Sequence, residues 1–271
     1  MDVGRAGGRD LPGEGPTRAG SAEMSESYRA VCSDFYVNQK VQVKMDLPRG
    51  RETVLEFFER IRRQFGAMTH FRRYRDELAL ESPQTDAPHR WLAIRSNSVR
   101  SGTVNASDSD ESYKLHKTVL EIAPAYLNIS ALDIEFVELL FGFDLAASGN
   151  HDAIVFDALF GNSPLASLLD VQGLAPVDCQ PMVGFSLGKR GELEIFAEVK
   201  TRAGAHGPRD PDGGEPISVY LTIRKFGPFR DLSQLEKVFG SIAEMGEELV
   251  EARILPRLLV PLRDAIASGN S

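Results

Sequence analysis

Three stretches of this chain place an apolar side chain at every second residue. Val41, Val43, Met45 and Leu47 alternate with Gln42, Lys44 and Asp46; Leu193, Ile195, Ala197 and Val199 are separated by Glu194, Phe196 and Glu198; Val219, Leu221 and Ile223 are separated by Tyr220 and Thr222. A period of two is the repeat of a pleated strand with one face on a core. A chain that returns to it so often is committed to a sheet with one covered face.

Between such stretches the rhythm changes to three and four. Val54, Phe58, Ile61 and Phe65 mark a helix over residues 51–65, with Arg60, Arg62 and Arg63 late in it and Gly66 as a stop. Residues 71–82 and 89–104 read as two strands of a hairpin around a turn-rich connection. Ser109 or Asp110 caps a helix to residue 123 that carries Tyr113, His116 and Leu120 on one face. Residues 132–145 are apolar and aromatic enough for a central strand. The order β-α-β-β-α-β over residues 33–145 is that of a ferredoxin-like arrangement, an antiparallel sheet with two helices on one face.

Sharing the strand at 132–145, a second unit over residues 132–268 reads β-α-β-β-β-α. It has a helix at 151–160, a cap and first-turn proline at Ser163 and Pro164, and strands at 177–187, 193–201 and 217–226. A long C-terminal helix from residue 232 follows, kinked near Ile254 by Pro256 and Pro261. The expected class is therefore α+β, with antiparallel sheet and helices on one face. No residue-level repeat links the halves. Residues 1–26, rich in Gly, Pro and Arg, are expected to form a disordered tail, with Met24 as an alternative start. Residues 188–191 are read as a tight turn and 203–216 as a long hairpin tip.

A net charge of −8 argues against nucleic acid or an anionic membrane as partner, because affinity for either rests on Lys and Arg. No segment approaches the ~20 apolar residues of a membrane span, and residues 1–23 lack the apolar centre of a secretory signal, so the expected compartment is the cytoplasm. Cys32 and Cys179 lie far apart, which favours two reduced thiols over a disulfide and offers no zinc spacing. No cofactor or metal site is expected: the five histidines form no ligand pair, and no phosphate loop occurs. His116 is expected to bond a backbone carbonyl. Gly184-Phe185-Ser186-Leu187-Gly188 matches a nucleophile elbow letter for letter, but it sits in a strand leading to a hairpin rather than on a strand-to-helix turn. Glu135 and Glu138, three apart on one strand, point to opposite faces and do not make a glycosidase pair. No catalytic residue is assigned.

The most unusual local feature is basic. His70, Arg72, Arg73, Tyr74 and Arg75 lie on one strand, with Trp91, Arg95 and Arg100 on its hairpin partner. Guanidiniums converging there would suit bidentate capture of a carboxylate or phosphate; the alternative is a solvated face paired with Asp76, Glu77 and Glu81. Two functions follow. One is a non-enzymatic module that binds a protein partner or self-associates, with the apolar C-terminal helix at 254–262 as an interface. The other is an enzyme or sensor for a small anionic ligand held by Arg72, Arg73, Arg75 and Arg95 with His70, Tyr74 and Trp91.

Overall fold

Among the described residues, nine strands pair edge to edge into one antiparallel sheet. They are β1 (Asp34–Val43), β2 (His70–Arg73), β3 (Leu78–Glu81), β4 (His89–Ile94), β5 (Ser98–Val104), β6 (Ile134–Leu145), β7 (Met182–Leu187), β8 (Leu193–Lys200) and β9 (Ile217–Phe226), in the order β2-β3-β4-β5-β1-β6-β9-β8-β7. The computed structural model describes residues 28–169, 171–188, 191–201 and 215–269. The tail at 1–26, the alternative start at Met24, His206, the middle of the 188–191 turn and most of the 203–216 tip lie outside these residues.

The helices are α1 (Arg51–Arg62), α2 (Ser109–Tyr126), α3 (His151–Phe160), α4 (Gln234–Leu249) and α5 (Val260–Gly269), with a 3-10 turn at Pro164–Leu169. The sequence supplies their ends. Asp108 caps α2 by accepting from the Glu111 amide, and the Glu111 carboxylate reaches back to the Ser107 amide one residue before the cap. Asn150 caps α3 through the Ala153 amide. The predicted kink at Pro256 takes the form of a π-helical stretch, Val250–Leu259, joining α4 to α5. Wider hydrogen-bonded rings of this kind absorb an imino nitrogen that cannot donate.

The sheet buries one face against the helices. Val37, Val41, Val137, Leu139, Phe141 and Phe143 from the central β1–β6 pair are at most 5% exposed, and one apolar cluster runs through both halves of the chain. Helix α4 lies so close to β6 that a Cβ on Gly246 would sit 2.1 Å from the Phe141 ring. The absence of a side chain there sets the approach.

Three sequence expectations need correction. Residues 89–104 are two strands, because Arg95 and Ser98 close a turn over Ser96 and Asn97, and 71–82 likewise divide at a turn closed by Tyr74 and Glu77. Short polar residues had extended the apparent alternation through what are in fact turns. The first half is therefore β-α-β-β-β-β-α, and the ferredoxin-like arrangement is not confirmed. The strand ending at Leu47 stops at Val43, where Glu135 bulges out of the partner strand. Lastly, the C-terminal helix does not offer an apolar surface: Ile254, Leu259 and Leu262 are in the core, and α5 packs on α3.

With the extra edge strand β2 set aside, both halves have the same chain order, β-α-β-β-β-α. In the sheet, β1, β5, β4 and β3 run outward on one side of the central pair as β6, β9, β8 and β7 do on the other. The outermost strands differ in character, and that difference places the candidate sites.

Candidate functional site

Alternation along β2 divides the predicted arginine cluster between two faces of the sheet. Phe71 and Arg73 stand opposite Leu80 and Leu78 on the helix side, whereas His70 and Arg72 stand opposite Glu81 and Ala79 on the helix-free side. The seven expected ligand residues are thus not brought together.

On the helix-free side the charges are answered within the protein. Glu77 takes Arg95 at 2.7 Å and Arg100 at 3.8 Å, while Glu81 accepts from the Tyr74 hydroxyl at 3.0 Å and lies 3.9 Å from Arg72. Arg100 also stacks on Trp91, 5.6 Å from its centroid. The lattice continues across the centre, where Arg224 donates twice to Glu138 and lies over Phe136 at 4.5 Å, with Glu194 at 3.6 Å. Burial, with Arg100, Arg224 and Arg95 close by, holds the Lys40 ammonium below its usual pKa against the pull of Glu138. Glycines let the rings lie flat: Gly102 is paired with Trp91 and Gly142 with Tyr36, and in each case an added Cβ would come within 2.1 Å of the ring. Every cation described here has an acid or an aromatic face beside it, and these pairs stabilise the sheet face.

Arg73 and Arg75 go to the other side. With Arg49 and Arg51, which flank the start of α1, they wall a groove of about 470 Å3 floored by Val54, Leu55, Phe71 and Leu78. A larger groove of about 640 Å3, between α2 and the start of α4, is lined by Lys114, Lys117, Glu121 and Glu236, a mixture of signs with no net call for a charged ligand.

At the far end of the sheet β7 is an unguarded edge. All six of its residues are exposed and none is charged; Met182, Val183, Phe185 and Leu187 are 61%, 52%, 58% and 56% exposed. The segment leading into it adds exposed Leu165, Leu168, Val171, Leu174 and Val177. At the other edge, β2 carries Arg72 and Arg73, the kind of charge that keeps strand edges from pairing. Residues 177–187 read as a strand from sequence, but its position at the edge depends on pairing that no local pattern encodes.

The remaining chemistry is enclosed. Ser186 lies in β7 and the chain continues into β8, so the nucleophile-elbow geometry is absent. Ser101 and His116 form a hydrogen-bonded pair at 2.7 Å, but both are 0% exposed. The His116 Nε2–H donates to the Val37 carbonyl at 3.1 Å, as the sequence suggested, and burial pushes its pKa down to about 3. Cys32 and Cys179 are free thiols; burial pushes Cys32 up to about 12 and also raises Cys179. Among the described residues there is no cluster of three or more potential metal ligands, and no helix is long and apolar enough to cross a membrane.

Compared with known proteins, the sequence matches no family model, and no curated protein matches it.

Proposed function

We propose that the chain is a non-enzymatic, self-associating binding module whose interface is the free edge of β7, and that the occupant of that edge is a second copy. The observation that carries this reading is an outermost strand of six exposed residues without a single charge. Unpaired N–H and C=O groups on such an edge are a template for another strand. A second copy fits because the strand is self-complementary. In an antiparallel register centred on Phe185, Phe185 meets its own equivalent and Val183 meets Leu187, all on one face, with no like charges opposed.

The gain and the cost of association are of similar size. Burying the exposed part of Met182, Val183, Phe185 and Leu187 is worth on the order of 1 kcal/mol each, so about 8 kcal/mol for two copies. Ladder hydrogen bonds add about 0.5–1.5 kcal/mol each. Against this stands a cost of about 4–15 kcal/mol for lost rigid-body freedom.

Sedimentation velocity across the micromolar range tests the reading. The wild type is expected to shift from monomer to dimer, and Phe185→Glu to remain monomeric with the melting curve of the dilute wild type, because the side chain it replaces is exposed. A wild type that stays monomeric at high micromolar concentration, or a dimer indifferent to Phe185→Glu, rejects it.

A further inference from the structure

We propose that the groove between the start of α1 and β2 is a binding site for a small organic phosphate. Arg49, Arg51, Arg73 and Arg75 would take the phosphate, and the floor, chiefly Phe71 and Leu55, its apolar body. Three observations converge on it. The first is charge: four guanidiniums wall one groove of about 470 Å3 and, among the described residues, no carboxylate lines it, in a chain whose net charge is −8. Concentrating cations in this way is unfavourable unless an anion joins them.

The second is pairing. The arginines of the helix-free face are matched to Glu77, Glu81 and Glu138. Among the described residues, none of the four groove arginines has a carboxylate within 4.0 Å, and none donates a hydrogen bond to a protein acceptor. Their donors are free for the planar, two-pronged contacts that guanidinium makes to phosphate.

The third is the floor. Phe71 and Leu55 are large apolar side chains left 50% and 40% exposed within this basic rim, with Val54 buried beneath. The Phe71 ring is held from behind by Phe58 at 5.9 Å, so it offers a fixed face. A bare inorganic ion would leave that surface wet, whereas an organic phosphate would cover it. The volume lies within the range of small-molecule sites, about 300–1,000 Å3. The first turn of α1 also lines the groove, and no side chain caps it, so its positive end adds to the field. Glu52 and Asp76 adjoin Arg51 and Arg75 in sequence but are not in the lining.

Calorimetric titration of the full chain with phenyl phosphate, inorganic phosphate and phenol decides the matter. Saturable binding is expected for phenyl phosphate, with weaker binding for the other two. Arg49→Ala and Arg73→Ala are each expected to weaken phenyl phosphate roughly 10-fold, the worth of one charge-assisted hydrogen bond. Arg72→Ala, one residue away on the opposite face, is expected to change nothing. All three side chains are exposed, so the folded state is retained. No saturable binding in the millimolar range, equal affinity for inorganic phosphate, or equal losses in Arg72→Ala and Arg73→Ala would each overturn the assignment. So would displacement of phenyl phosphate by a short oligonucleotide at lower concentration, which would give the groove to nucleic acid.

Discussion

Acidification from pH 7 to pH 5 is expected to cost this protein about 2 kcal/mol of stability through a single side chain, His116. The imidazole is 0% exposed, between α2 and the sheet. Its Nε2–H donates to the Val37 carbonyl at 3.1 Å, and its Nδ1 accepts from the Ser101 hydroxyl at 2.7 Å. Both ring nitrogens are thus satisfied in the neutral form, and among the described residues no carboxylate contacts the ring to support a charge. Burial is the main cause of a pKa near 3, against 6.5 in the unfolded chain, with the Val37 bond opposing it. Between those values the unfolded state binds the proton and the folded state does not. Stability is therefore complete above pH 6.5 and falls as pH drops toward 3, by about 1.4 kcal/mol per unit once well below 6.5. Urea unfolding followed at several pH values for the wild type and His116→Gln isolates the effect. The variant starts less stable, but its stability falls less steeply between pH 6.5 and 4.5, by close to one proton. Parallel slopes for the two proteins would refute the reasoning, as would an NMR titration of His116 with a midpoint near 6 in the folded state.

Other perturbations test the packing. Gly102→Ala and Gly142→Ala each force a ring off the sheet and are expected to cost about 1–3 kcal/mol. Only Gly102→Ala should shift the emission of Trp91, the single tryptophan. Asp152 accepts from the Cys179 amide at 2.9 Å and the Thr201 hydroxyl at 2.6 Å, tying α3 to the approach to β7 and the end of β8. Asp152→Ala should therefore lower stability by about 2–4 kcal/mol, read from urea midpoints. Cys32, with its thiol at about 12 and donating to the Tyr28 carbonyl, should resist alkylation at pH 8 in the folded protein and react fully in urea.

Periodicity carried much of this architecture. Val219, Leu221 and Ile223 alternate because one side of β9 meets α4, and Val54, Phe58 and Ile61 recur because one side of α1 meets the core. The errors arose where local pattern and tertiary pairing part company. Ser96 and Asn97 continued an apparent alternation but are the residues of a turn. Met45 kept the rhythm of β1 past the bulge that ends the strand, and is exposed. The candidate sites were half legible for a similar reason. Arg73 and Arg75 stood out in the sequence, but alternation places Arg72 across the sheet from Arg73. Arg49 and Arg51 join the groove only because the loop before α1 returns to the sheet edge. A Pro-Arg-Gly-Arg stretch opening a helix was the available signal. The β7 edge had none beyond its lack of charge, since whether a strand is central or outermost is decided by residues far away in the chain.

Amide hydrogen exchange along β7, followed at low and at high micromolar protein concentration, bears most directly on the central claim. Half of the β7 amides point away from β8. They should exchange freely when the protein is dilute and become protected when it is concentrated, while the amides of β2 remain unchanged. Exchange along β7 that is indifferent to concentration, or protection that rises equally at β2, would contradict it.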